Sequence, residues 1–128
     1  KMAVKYILVD AWNTLVTETG INTRLVSLLD SFETPKIIVT NANEEEKVKF
    51  GIVNMPYPVF SLAHQPNKTD PLYFKKLLLH LSVKAEEVVY FEHHLQACES
   101  AISLGIQTHW QAKGTDLQTL EHFLSQHL

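Results

Sequence analysis

The chain has 128 residues, 45% of them hydrophobic, and a formal net charge of −3 from 11 basic and 14 acidic side chains. That size suits one domain around one core, spanning residues 1–128. The composition argues against disorder, and the charge gives no general attraction to nucleic acid or to an anionic membrane. No apolar run approaches the ~20 residues needed to cross a bilayer, and the first residues lack the layout of a signal peptide. Lys1 ahead of Met2 reads as an added residue. One cysteine, Cys98, precludes an internal disulfide, so a reducing, cytoplasmic setting is expected. Cys98 is read as a small buried residue on a helix rather than as a nucleophile.

Along the chain, short apolar runs alternate with amphipathic stretches. Tyr6–Val9 ends in Asp10, and Ile37–Val39 ends in Thr40 and Asn41. Val59–Phe60 follows the Pro-rich loop Met55–Pro58, and Val88–Phe91 ends in Glu92. Ile106–Trp110 is a weaker fifth run. Runs this short, without polar alternation, suit strands covered on both faces of a parallel sheet.

The intervening segments read as helices. Leu25, Leu28, Leu29 and Phe32 recur at helical spacing. Asn43 with Glu46 forms a capping-box pattern ahead of a short charged helix. Asp70-Pro71 is a helix start, a side-chain cap followed by proline in the first turn, and Tyr73, Phe74, Leu77, Leu78 and Leu81 then make a buried stripe. Ala97 and Ala101 give a helix face small enough to lie close on a sheet, and Gly105 is placed to end it. Asp116 is a candidate cap for a last helix carrying Leu117, Leu120, Phe123 and Leu124. The alternation predicts an α/β fold, a doubly wound, three-layer, Rossmann-like arrangement of about five parallel strands. In such sheets ligands bind beyond the carboxyl ends of the strands, where Asp10, Thr40 and Glu92 all fall.

Four segments in order carry a family resemblance. Asp10-Ala11-Trp12-Asn13-Thr14-Leu15 resembles the first motif of the haloacid dehalogenase (HAD)-like hydrolase superfamily, Asp-x-Asp-Gly-Thr-Leu after an apolar strand. Val39-Thr40-Asn41 resembles the second motif. Lys68, in Asn67-Lys68-Thr69-Asp70-Pro71, resembles the third, and Glu92 with the helix after it the acidic fourth. The resemblance implies a Mg²⁺-dependent phosphohydrolase in which Asp10 attacks phosphorus and forms an aspartyl-phosphate. Asp10, the Trp12 backbone carbonyl and Glu92 would hold the Mg²⁺; Thr40, Asn41 and Lys68 would bind phosphate; and Lys68 would neutralise charge in the transition state.

The departures from the pattern carry equal weight. The family's phosphatases place a second aspartate, their general acid and base, two residues after the nucleophile. Trp12 stands there, and loss of such help typically costs about 10²–10⁴ in rate. Asn13 replaces a glycine, Glu92 replaces Asp, and Gln96 stands where many relatives carry another acid, which implies a weaker metal site. The first motif therefore reads as degenerate.

Haloacid dehalogenases carry Asp-Ala-Tyr-Gly-Thr-Leu, similar to residues 10–15, but they need a helical cap with an arginine. Positions 11–39 and 41–67 leave no room for a cap, and Arg24 is the only arginine. A capless, open site suits a phosphorylated small molecule or macromolecule, or a second subunit that covers it. The alternative to an enzyme is an inactive module that keeps the fold and binds a partner. Response-regulator receivers also use Asp, Thr and Lys, but their phosphorylated Asp follows the third strand, whereas Asp10 follows the first.

Among the histidines, His93 and His94 directly follow Glu92 and suggest a transition-metal pair. Neighbours on an extended chain point oppositely, which argues against joint ligation. Trp12 is read either as a core residue or as the wall of an apolar pocket. Glu44, Glu45 and Glu46 read as a solvated helix start favoured by the helix dipole.

Overall fold

A computed structural model describes residues 3–128; the reading of Lys1 as an added residue lies outside the described residues. The elements in chain order are β1 (Tyr6–Asp10), β2 (Val16–Thr17), β3 (Gly20–Ile21), α1 (Thr23–Asp30), β4 (Lys36–Thr40), α2 (Glu44–Lys49), β5 (Val59–Ser61), α3 (Pro71–Leu81), β6 (Val88–Glu92), α4 (Leu95–Ile102), β7 (Gln107–Trp110) and α5 (Gln118–His127). All five expected strands are present, in one parallel sheet of order β5-β4-β1-β6-β7. β1 is central, with β4 on one side and β6 on the other. Asp10 ends β1 opposite Val39, and Val9 pairs with Phe91, so the ends of three adjacent strands lie level.

Burial on both faces explains the unbroken apolar runs. Ile7 and Val9 point to one side with Leu25 and Leu29 of α1 and Leu120 and Leu124 of α5. Leu8 points to the other with Tyr73, Phe74 and Leu77 of α3 and Ala101 of α4. The helices cover both faces, as a doubly wound fold requires. No helix among the described residues is long and apolar enough to cross a membrane.

The local signals are realised with small shifts. Asn43 and Glu46 form the reciprocal capping box, with Asn43 Oδ1 accepting from Glu46 N at 2.8 Å and Glu46 Oε1 accepting from Asn43 N at 3.0 Å. Asp70 Oδ1 accepts from Leu72 N, and Pro71 is the first residue of α3. Asp116 acts one residue further out than a cap: α5 begins after Leu117, and Asp116 Oδ1 takes the Gln118 N–H. α4 closes at Ile102, so Gly105 belongs to the turn beyond it, where its φ of +86° demands glycine. The β2–β3 hairpin, whose strands are two residues each, was not expected from the sequence. It is the only insertion between β1 and α1, and α2 alone lies between β4 and β5, so the described residues contain no cap domain.

Leu77 is fully buried in α3, whereas Leu79, two residues on, is 73% exposed. Leu77→Ala is expected to cost about 2–5 kcal/mol in urea unfolding and Leu79→Ala under about 0.5 kcal/mol. Equal losses would contradict the assigned face.

Candidate active site

Asp10, Lys68 and Glu92 meet at the carboxyl end of the sheet, all buried. The Lys68 ammonium lies 2.9 Å from Asp10 Oδ1 and 2.6 Å from Glu92 Oε1, and donates also to the Val39 carbonyl at 3.3 Å. Asp10 and Glu92 end β1 and β6, neighbouring strands in register, which sets two carboxylates side by side. Lys68 comes from the loop before α3. Asn41 Oδ1 fixes that loop by accepting the Lys68 backbone N–H at 2.7 Å.

The turn after β1 shapes the rest. Asn13 takes the left-handed φ of +67° that the family's glycine would supply, as asparagine tolerates. The Thr14 hydroxyl donates to Asp10 Oδ2 at 2.6 Å. Thr40 Oγ1 accepts from Ala42 N at 3.2 Å, capping the turn after β4, and keeps its own proton to donate. Two tyrosines close the base: Tyr73 donates to the Thr40 carbonyl at 2.9 Å, and Tyr90 donates to Glu92 Oε1.

One member was not among the candidate residues. His93 Nδ1 lies 2.5 Å from Asp10 Oδ2 and 3.1 Å from Glu92 Oε2. The backbone N–H of His93 also donates to Asp10 Oδ2, and that of His94 to Glu92 Oε2. The argument against a joint His93–His94 pair holds, since only His93 joins the two carboxylates. Its signal was positional: it directly follows the strand beside the one that ends in Asp10, a fact available only once strand order is known. Gln96 is exposed and does not line the site. Cys98 is buried in α4 with its thiol pushed up to about 12 by burial, and it is no nucleophile.

Charge follows from these contacts. Burial alone would raise Asp10, but the Lys68 ammonium and the His93 hydrogen bond outweigh it and hold the carboxyl well below its usual range. Burial alone would lower Lys68, and Asp10 and Glu92 reverse that, holding it charged. The hydrogen bonds to Asp10 and Glu92 raise His93 to about 9. At neutral pH an anionic Asp10 thus faces two cationic groups, Lys68 and His93.

A cavity of about 330 Å³ opens above this centre, and its lining includes the polar Asp10, Lys68 and Thr40 and the apolar Trp12, Phe50 and Ile52. The Trp12 and Phe50 rings pack at 4.8 Å between centroids, 39° apart. Trp12 is therefore half-buried and serves as a wall of the site.

The donor set also fits a divalent cation. Asp10, Glu92 and His93 each offer one atom, all within 4.8 Å of one another, and two of the three are the hard carboxylate oxygens such an ion prefers.

No protein-family model matches the sequence, and no curated protein is significantly similar to it. Solved structures are. A substituted form of a HAD-family enzyme from Bacteroides thetaiotaomicron, complexed with magnesium and inorganic phosphate, superposes with a TM-score of 0.74 at 14% identity, over 92% of this chain and 99% of that one. The core domain of a candidate phosphoglycolate phosphatase from Streptococcus pneumoniae gives 0.64 at 13% identity, covering 97% of each chain. An uncharacterized protein from Corynebacterium glutamicum gives 0.62 at 12% identity, over 97% of this chain and 92% of that one. The protein is thus a doubly wound α/β fold with its charged site at a central strand end. That fold is the one of the HAD-like hydrolases, in a capless form.

Two measurements test the electrostatics. Lys68→Met leaves two buried carboxylates without their shared cation and is expected to cost about 3–5 kcal/mol at pH 7. The loss should shrink in acid as the carboxylates take up protons. In metal-free protein His93 is expected to titrate near 9 by NMR. Its stabilising contribution is complete below its ordinary value of 6.5 and is lost as pH rises through about 9. Asp10 works in the opposite sense, contributing above its ordinary 3.8 and losing that contribution as pH falls through its depressed value. A His93 midpoint at or below 6.5 would overturn the contact with Asp10.

Proposed function

We propose that the protein is a phosphohydrolase that works through an aspartyl-phosphate on Asp10. The observation that carries this reading is the Lys68 ammonium 2.9 Å from Asp10 Oδ1. It keeps a buried carboxylate ionised beside an open cavity and stands ready to neutralise a phosphoryl group. Asp10 attacks phosphorus, the bond from phosphorus to the leaving-group oxygen breaks, and that oxygen departs with the electron pair. Water then cleaves the acyl phosphate, releasing phosphate and restoring Asp10. The Thr40 hydroxyl and Lys68 hold phosphoryl oxygens, and Asn41 keeps the Lys68 loop in place.

Mg²⁺, held by Asp10, Glu92 and the Trp12 carbonyl, would offset repulsion between carboxylate and phosphate. His93 would have to give up its hydrogen bond to Asp10 Oδ2 for an ion to bind there. Trp12 supplies no proton to the leaving group and no base to the water, so both half-reactions are slow for alkyl phosphates and the intermediate persists. The partner is a phosphorylated small molecule or macromolecule that reaches the capless site, or a second subunit that covers it.

A second reading is an inactive module on the same fold. It is favoured by the engagement of both Asp10 oxygens, Oδ1 by Lys68 and Oδ2 by Thr14 and His93.

Intact mass after incubation with Mg²⁺ and acetyl phosphate separates the two. The wild type is expected to gain one phosphoryl group and Asp10→Asn none. Among substrates, phosphates of weakly basic leaving groups should turn over at least about 10²-fold faster than alkyl phosphates, matching the absent general acid. No adduct and no turnover would establish the inactive module instead.

A further inference from the structure

The cavity over Asp10 is lined by polar and apolar residues alike, and nothing in the phosphoryl chemistry requires the apolar ones. Asp10, Lys68, Thr40 and Asn41 are among the polar residues. The apolar ones are Trp12, Phe50, Ile52 and Ala42, drawn from the turn after β1 and from the segments on either side of α2. Ile52 and Ala42 are buried; Trp12 and Phe50 are only half-buried, leaving aromatic surface to the cavity. Phe50 backs Trp12 at 4.8 Å.

We infer that the site takes an aryl phosphate, with phosphate on the Asp10–Lys68 side and a planar aromatic group against Trp12 and Phe50. This rests on the phosphohydrolase reading for its chemistry and on the cavity for its binding. Two consequences of Trp12 select the same class. Trp12 stands two residues past the nucleophile, where an acid would face the leaving-group oxygen, and aryl oxides leave without a proton far more readily than alkoxides. The rings that occupy the place of that acid also offer the contact an aromatic group needs. An acyl phosphate meets the first condition but leaves the aromatic wall uncovered.

Calorimetry with phenylphosphonate and methylphosphonate, which cannot be hydrolysed, tests binding apart from catalysis. Phenylphosphonate is expected to bind the wild type about 3- to 10-fold more tightly, the worth of one aromatic contact, and Phe50→Ala should remove that difference. In turnover, Phe50→Ala should lower kcat/KM for phenyl phosphate relative to acetyl phosphate through KM. Equal binding of the two phosphonates by the wild type overturns the inference whatever the turnover shows. Selective phenylphosphonate binding without any turnover supports it and overturns the hydrolase reading alone.

Discussion

Two carboxylates buried side by side repel each other, and the site exists because one ammonium group stands between them. Asp10 and Glu92 are placed by the register of β1 against β6, and neither can move without breaking the sheet. Lys68 answers both at once, at 2.9 and 2.6 Å. Charges this deep are tolerated only when paired and hydrogen-bonded, and here every oxygen of the pair has a donor. The surrounding details follow from that need: Asn41 pins the Lys68 backbone, Asn13 takes a left-handed turn, and the β6–α4 junction offers successive backbone N–H groups.

Most of the fold was legible because a parallel sheet covered on both faces leaves unbroken apolar runs. Each of the five runs became a strand, and the caps at Asn43 and Asp70 marked their helices. The β2–β3 hairpin was not legible, since two-residue strands carry no periodicity. Tyr73 and Tyr90 were read only as apolar bulk. Their rings are indeed core, but their hydroxyls hold the Thr40 carbonyl and the Glu92 carboxylate, a role that composition does not reveal.

The site was legible where a resemblance supplied the order of motifs. Asp10, Thr40, Asn41, Lys68 and Glu92 do converge. His93 was weighed only as half of a pair with His94, because its reach to Asp10 depends on strand order: it follows β6, and β6 lies next to β1. Local reasoning about neighbouring histidines answered correctly whether the two act as a pair, but not whether one of them reaches across to another strand. Trp12 divided two readings, core or wall, and both hold: it packs against the core cluster and lines the cavity.

β1 is the one strand with hydrogen-bonded neighbours on both sides that are themselves paired further out. Its backbone amides can exchange with solvent only if β4 or β6 detaches, whereas β5 and β7 can fray one at a time. The residue at its end is thus anchored in the slowest-opening part of the molecule. Phe50 and His64, which line the cavity above it, sit just past α2 and in the loop after β5, outside the sheet. The rim can therefore loosen while the carboxylate beneath it stays fixed, a division of rigidity that an acid at the end of an outer strand would not have.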